Sequence, residues 1–143
     1  AATGQDVFHQ HFGPFPAGFA YATPNDLSSV RALCEEQNAC AVMLEVVQGE
    51  GGVRALDGDF LRGVEALCRE KDMLFCIDEV QTGNGRSGEL YAYMVHGLKP
   101  DIVSTAKGLG GGLPIGAKRS KTPSPTATTA PPSAATPWPA PER

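Results

Sequence analysis

The sequence has no run approaching the roughly 20 consecutive apolar residues that a membrane-spanning helix needs. It opens on Ala1–Gly4, without the charged leader and apolar core of a secretory signal. It also begins without methionine, which suggests a chain clipped at its amino end. Basic residues are scarce, because residues 1–117 hold eight Lys or Arg against fifteen Asp or Glu, a net charge of −7. We therefore expect no membrane and no nucleic acid among the partners.

The cysteines lack the spacing of a metal site. No two of Cys34, Cys40, Cys68 and Cys76 are separated by the two residues that zinc ligands usually show. Each lies in or beside an apolar run, which is typical of buried free thiols. The sequence thus predicts no metal, no disulfide and a reducing compartment, the cytoplasm.

Composition changes sharply at residue 118. Residues 118–143 contain seven prolines and thirteen residues of Ser, Thr or Ala. Such a segment buries too little apolar surface to offset its conformational entropy, so it is predicted to be disordered. The preceding 117 residues have the length and composition of one domain or part of one.

Helical and β-prone segments alternate through this first part. Asn25 or Asp26 is placed to cap a helix, and Asp57 or Asp59 a second one with a clear apolar face. The predicted strands are nearly continuous apolar runs at residues 40–47, 73–77 and 102–105, and a short helix is predicted at 90–95. This order predicts an α/β fold with a mostly parallel sheet flanked by helices.

Charged residues follow the predicted strands at the edge where open α/β sheets bind ligands. These residues are Glu45, Asp78 and Lys107. A single lysine after a strand is usually an ordinary surface residue, but here an acid ends the preceding strand. Pyridoxal phosphate (PLP) requires this pair, a lysine for its aldehyde and an acid beside its pyridine nitrogen.

Several ordered motifs resemble the class III PLP-dependent aminotransferases. They are LEVVQGEGG at residues 44–52, DEVQTG at 78–83, GRSG at 85–88 and KGLGGG at 107–112. The 29-residue gap between Asp78 and Lys107 also fits the family layout. The resemblance implies a fragment of the large domain of the fold-type I PLP-dependent transferases, with PLP as cofactor. It covers roughly residues 3–117.

The resemblance also implies roles for individual residues. Lys107 would form the Schiff base with PLP and later move the proton between carbon atoms. Asp78 would pair with the pyridinium nitrogen, Val80 would lie against one ring face, and Gln81 would donate to the phenolic oxygen. Glu50 resembles the acidic residue that pairs with a substrate-binding arginine from a later segment.

Glu45 resembles a family glutamate that lies close to the cofactor and substrate. Further motifs, LYAY at 90–93, KPDI at 99–102 and LPIGA at 113–117, are most similar to the acetylornithine-type members. This likeness implies amino transfer from N2-acetylornithine to 2-oxoglutarate in arginine biosynthesis, in a homodimer. Because the phosphate turn and the substrate arginine are expected outside these residues, the chain alone is expected to be inactive.

Two alternatives stay open at the level of sequence. Ornithine, succinylornithine and 4-aminobutyrate aminotransferases use the same lysine and acid, and the residues that read the substrate lie mostly elsewhere. The other alternative is a truncated, non-catalytic remnant that binds a protein partner through its exposed sheet edge and proline-rich tail.

Overall fold

A computed structural model of the chain describes residues 3–5, 7, 9, 10 and 13–120. The helices are α1 (Leu27–Glu36), α2 (Gly58–Glu70) and α3 (Ala92–Val95), with a 3₁₀ turn at Lys107–Gly110. The strands are β1 (Ala41–Leu44), β2 (Val47–Gln48), β3 (Arg54–Ala55), β4 (Leu74–Asp78), β5 (Ile102–Thr105) and β6 (Ala117–Ser120). Within the described ranges, no helix is both long and apolar enough to cross a membrane.

Helix α1 is capped by Asp26, one of the two residues that the sequence predicts for this role. Oδ1 of Asp26 accepts hydrogen bonds from the backbone N–H groups of Ser28 and Ser29, at 3.0 and 3.1 Å. These N–H groups have no partner within the helix, and the carboxylate satisfies them. The helix ends at Glu36, and Asn38 then turns the chain with a positive φ of 48°.

A four-stranded sheet in the order β1-β4-β5-β6 forms the centre of the described structure. β1 pairs in parallel with β4 and β4 in parallel with β5, whereas β6 is antiparallel to β5. The prediction of a mostly parallel sheet is confirmed. Parallel pairing aligns the carboxyl ends of β1, β4 and β5 along one edge of the sheet.

Helix α2 covers one face of this sheet. Leu61, Val64 and Cys68 of the helix are fully buried, as are Phe75 and Ile77 of β4. The alternation of strand side chains places Phe75 and Ile77 on the helix side and Cys76 and Asp78 on the other side. The apolar helix stripe predicted from the sequence therefore decides which face of β4 points into the core.

Polar contacts fix α2 to the loop that enters β5. Nη1 of Arg69 lies 2.9 Å from Oδ2 of Asp101, and its Nη2 donates to the carbonyl oxygen of Lys99 at 2.5 Å. Oδ2 of Asp101 also accepts from the backbone N–H of Phe75 at 3.0 Å. These bonds align the starts of β4 and β5, and through them the carboxyl ends that carry Asp78 and Lys107.

Three expectations need correction. The strand predicted at 40–47 ends at Leu44, and Val47–Gln48 instead pairs antiparallel with Arg54–Ala55. Residues 118–120 of the segment predicted to be disordered lie in β6, because backbone bonding to the open edge of β5 does not depend on side-chain composition, whereas the division of the chain after residue 117 stays a prediction. Residues 121–143 of the predicted tail lie outside the described residues. Cys40 is exposed rather than buried, since it lies just before β1.

Candidate functional site

The predicted site residues follow strands that end side by side. Asp78 is the last residue of β4, and its Cα is in register with Ser104 of β5. Leu44 of β1 is in register with Ile77, so Glu45 leaves β1 at the level of Asp78. Lys107 begins the 3₁₀ turn two residues after β5 ends. The topology thus brings all three charged residues to one edge of the sheet.

Lys107 has an unusual backbone. Its φ is +47°, a left-handed conformation that few residues other than glycine adopt without support from their surroundings. Its side chain is exposed, and its Nζ donates a hydrogen bond to Oε1 of Gln81. The structure therefore brings together two of the predicted site residues, the lysine and the glutamine.

The segment that follows Asp78 turns tightly back over the strand end. Oδ1 of Asp78 accepts from the backbone N–H of Val80 at 2.8 Å, and the N–H of Gly83 donates to the carbonyl of Glu79 at 2.9 Å. A side chain at position 83 would lie 2.7 Å from that carbonyl oxygen, so the turn requires glycine. This turn places Val80 and Gln81 next to the strand end.

A cavity of about 110 Å³ lies at this edge of the sheet. It is lined by Val80, Gln81, Gly83, Asn84, Arg86, Lys107 and Gly108. A larger open depression of about 640 Å³ at the start of α2 contains none of the predicted site residues. The small cavity is therefore the candidate site, although neither Asp78 nor Glu45 is among its lining residues.

Glu45 is electrostatically coupled to the same group of residues. Partial burial raises the pKa of the Glu45 carboxyl above its ordinary value, and the hydrogen bond from the Gly49 N–H, at 3.3 Å, opposes that shift. The negative charges of Asp78 and Glu50 raise this pKa further, while the positive charge of Lys107 lowers it. Glu45 therefore lies within electrostatic range of both the lysine and the acid.

Glu50 is exposed in the turn between β2 and β3. Among the described residues, no arginine lies within ion-pairing distance of its carboxylate. Its predicted role in substrate binding stays a prediction.

Sequence reasoning gave no role to Glu79, which is completely buried. Its Oε1 accepts from the backbone N–H of Tyr93 at 2.9 Å, and its Oε2 accepts from the hydroxyl of Thr82 at 2.5 Å. The alternation of side chains along β4 could have identified Glu79 as a buried residue. Since Asp78 faces away from α2, the next side chain points toward the core, where a glutamate needs hydrogen-bond partners.

Gly49 is required for the position of Gln81, because a β-carbon at position 49 would lie only 2.5 Å from Cγ of Gln81. We expect Gly49→Ala to displace Gln81 and to lower the free energy of unfolding by about 1–2 kcal/mol through overpacking. Gly51→Ala in the same loop is the matched control, since its new carbon would lie 3.4 Å from Cβ of Gln48, an ordinary contact. NMR of the Gln81 side-chain amide and urea unfolding measure both effects. Equal spectra and stabilities for the two variants would contradict this packing argument.

The side chains at this edge fit the needs of PLP. Lys107 supplies an amine for an aldehyde, Asp78 a carboxylate for a ring nitrogen, and Val80 an apolar surface for a ring face. In addition, the hydroxyl of Ser104, in register with Asp78, is buried without a hydrogen-bond partner among the described residues. A buried polar atom of this kind normally has a partner, so the Ser104 hydroxyl is left with unmet hydrogen-bonding capacity next to Asp78.

Comparison with known proteins gives a family. The sequence profile of the class III aminotransferases matches residues 1–140, past Ala117, where the recognisable motifs end. The chain is 57% identical over 117 residues to an acetylornithine aminotransferase from Haemophilus ducreyi, an alignment that covers 82% of this chain and 30% of that protein. It is 53% identical over 117 residues to a succinylornithine transaminase from Salmonella typhi, covering 82% of this chain and 28% of the other.

Solved structures agree with this result. The N-acetylornithine aminotransferase from Stenotrophomonas maltophilia superposes with a TM-score of 0.70 at 42% identity, over 74% of this chain and 29% of that one. The predicted fold, part of a PLP-dependent transferase large domain, is confirmed. The chain spans less than a third of the length of these relatives.

Proposed function

The chain belongs to the class III aminotransferase family, and from this premise we propose that it is the cofactor-binding centre of an acetylornithine-type aminotransferase. In this proposal the assembled enzyme moves the amino group of N2-acetylornithine to 2-oxoglutarate, acts in the cytoplasm and is a homodimer. The observation that carries the proposal is the contact between Lys107 Nζ and Gln81 Oε1 beside the strand that ends at Asp78.

PLP, when bound, supplies an aldehyde and a ring that withdraws electrons from the substrate carbon. The Nζ of Lys107 would hold the aldehyde carbon of PLP. Once free, the same amine would move a proton between the substrate carbon and the cofactor carbon. Because the side chain of Lys107 is exposed, its Nζ is free to move between the substrate carbon and the cofactor carbon.

The side chains next to Lys107 are proposed to bind the ring of PLP and to favour its protonated form. The carboxylate of Asp78 would keep a proton on the ring nitrogen, because an anion beside that nitrogen favours its protonated form. Val80 would lie against a ring face and exclude water from it. Gln81 accepts from Lys107 through Oε1, which leaves its Nε2 to donate to the phenolic oxygen of the cofactor.

Glu45 and Glu50 are proposed to act on the substrate side of the site. Glu50 is exposed, which suits a residue that binds and releases an arginine from another segment. Glu45 is coupled to both Asp78 and Lys107, which suits a group close to the reacting atoms. Acetylornithine is proposed as the amino donor on the motifs at residues 90–93, 99–102 and 113–117 and on the 57% identity to the Haemophilus ducreyi enzyme.

Covalent trapping on the 143-residue chain tests this proposal. The chain is incubated with PLP and then with borohydride, which reduces a lysine–PLP adduct to a stable amine that mass spectrometry can locate. We expect Lys107 to be labelled at lower PLP concentrations than Lys71, which sits in an exposed ion pair with Glu35. Equal labelling of the two lysines at every PLP concentration would overturn the proposal.

We predict that Asp78→Asn weakens PLP binding about 10- to 100-fold, the effect of losing a hydrogen bond to a charged group. Asparagine keeps the size of the side chain and an oxygen for the Val80 N–H, so the turn is expected to survive. The measurement is the dissociation constant for PLP from the quenching of protein fluorescence. Asp72→Asn, in the exposed turn after α2, is the control, and an equal effect in both variants would count against the pyridinium role.

A further inference from the structure

The backbone of Lys107 is held by a residue from another part of the chain. Nδ2 of Asn84 lies 3.2 Å from the carbonyl oxygen of Ala106 and 3.4 Å from Oγ1 of Thr105. Ala106 immediately precedes Lys107, so the amide of Asn84 binds the peptide group that leads into the lysine. Twenty-two residues separate Asn84 from this carbonyl in sequence.

The carbonyl of Ala106 is also the acceptor that closes the turn containing Lys107. The N–H of Leu109 donates to it at 3.0 Å, which forms the first bond of the 3₁₀ turn. Without this turn, nothing local would favour the φ of +47° at Lys107. The side chain of Asn84 therefore bonds to the oxygen that accepts the first hydrogen bond of the turn.

Asn84 is itself held firmly. Its own φ is +60°, a conformation that asparagine tolerates better than most residues, and Gly85 follows at +86°. The preceding Gly83 donates its N–H to Glu79, whose carboxylate is completely buried. A β-carbon at Gly108 would lie 3.5 Å from Cβ of Asn84, so the turn packs closely against this residue.

From this geometry we infer that Asn84 is a positioning residue for the cofactor lysine. It links the turn after β4, which carries Val80 and Gln81, to the turn after β5, which carries Lys107. The link fixes the direction in which Nζ leaves the backbone and keeps it next to Gln81. This inference rests on the proposed function, since it is the reaction of Lys107 with PLP that gives the positioning a purpose.

Asn84→Gly removes the amide while accepting the positive φ, so it isolates the hydrogen bond from backbone strain. Hydrogen exchange at the Leu109 amide, measured without PLP, is expected to speed up roughly threefold to tenfold, the range for one neutral hydrogen bond. Borohydride trapping of PLP at Lys107 is expected to slow by a similar factor. Asn38→Gly is the matched control, an exposed asparagine at φ +48° without a side-chain bond among the described residues.

Asn84→Asp provides a second variant in case glycine loosens the whole turn. Aspartate keeps the size of the side chain but presents no donor to the Ala106 carbonyl, so Leu109 exchange should again speed up while exchange in α1 stays unchanged. Unchanged Leu109 exchange in either folded variant would overturn the inference. Wild-type chain that fails to trap PLP at Lys107, together with faster Leu109 exchange in both variants, would reject the proposed function and leave the Asn84 contact established. Faster exchange with unchanged trapping would reject the positioning role alone.

Discussion

Replacing Lys107 by alanine is expected to abolish the visible absorption band that PLP forms with this chain, and to remove the product that borohydride traps at this position. The reason is chemical, because the remaining side chain has no amine to react with the aldehyde. The fold is expected to survive with a change in unfolding free energy within about 0.5 kcal/mol, since the side chain is exposed and alanine tolerates the same backbone no worse. Absorption spectra and urea unfolding measure the two quantities.

Lys107→Arg is the matched variant that separates the effect of the positive charge from the effect of the reactive amine. Arginine keeps the positive charge that acts on Glu45 but cannot form a Schiff base with the aldehyde at neutral pH. We expect it to lose the absorption band as completely as alanine does. Lys71→Ala controls for the loss of a lysine elsewhere. An absorption band that persists in either Lys107 variant would exclude this residue as the cofactor lysine.

The sequence predicted that Glu45, Asp78 and Lys107 would meet at one edge of the sheet, where the candidate site lies, because two physical signals agreed. Buried strands appear as apolar runs, and each predicted run stopped near a charged residue, Glu45, Asp78 or Lys107. Parallel pairing of β1 with β4 and of β4 with β5 then brings these strand ends together. The α2 stripe and the Asp26 cap were predictable for the same reason, since each depends on local spacing alone.

Contacts between distant segments could not be predicted in this way. The bond from Asn84 to Ala106 and the close approach of Gly49 to Gln81 depend on how separate loops pack after the sheet has formed. The extension of β6 through Ser120 depends on a free strand edge, not on the side chains of those residues. Residues 118–120 have the composition of the tail but the backbone bonding of the sheet.

The second large effect is expected from Glu79→Ala, which should lower the free energy of unfolding by about 3–5 kcal/mol. The substitution leaves the buried N–H of Tyr93 and the hydroxyl of Thr82 without their acceptors and opens a cavity at a completely buried position. Such a loss is a large fraction of the roughly 5–15 kcal/mol that stabilises a typical domain. Urea unfolding followed by circular dichroism measures it.

Two further variants separate the causes of this loss, and a third controls for charge. Glu79→Gln keeps an oxygen for the Tyr93 N–H and a polar group for the Thr82 hydroxyl, so it should cost about 1 kcal/mol or less. Glu79→Leu fills the volume without supplying an acceptor, and it should be nearly as destabilising as alanine because the N–H of Tyr93 stays unsatisfied. Glu89→Ala, an exposed acid in the same segment, should change stability by less than about 0.5 kcal/mol. If leucine restored the stability that alanine loses, packing rather than hydrogen bonding would explain the burial of Glu79.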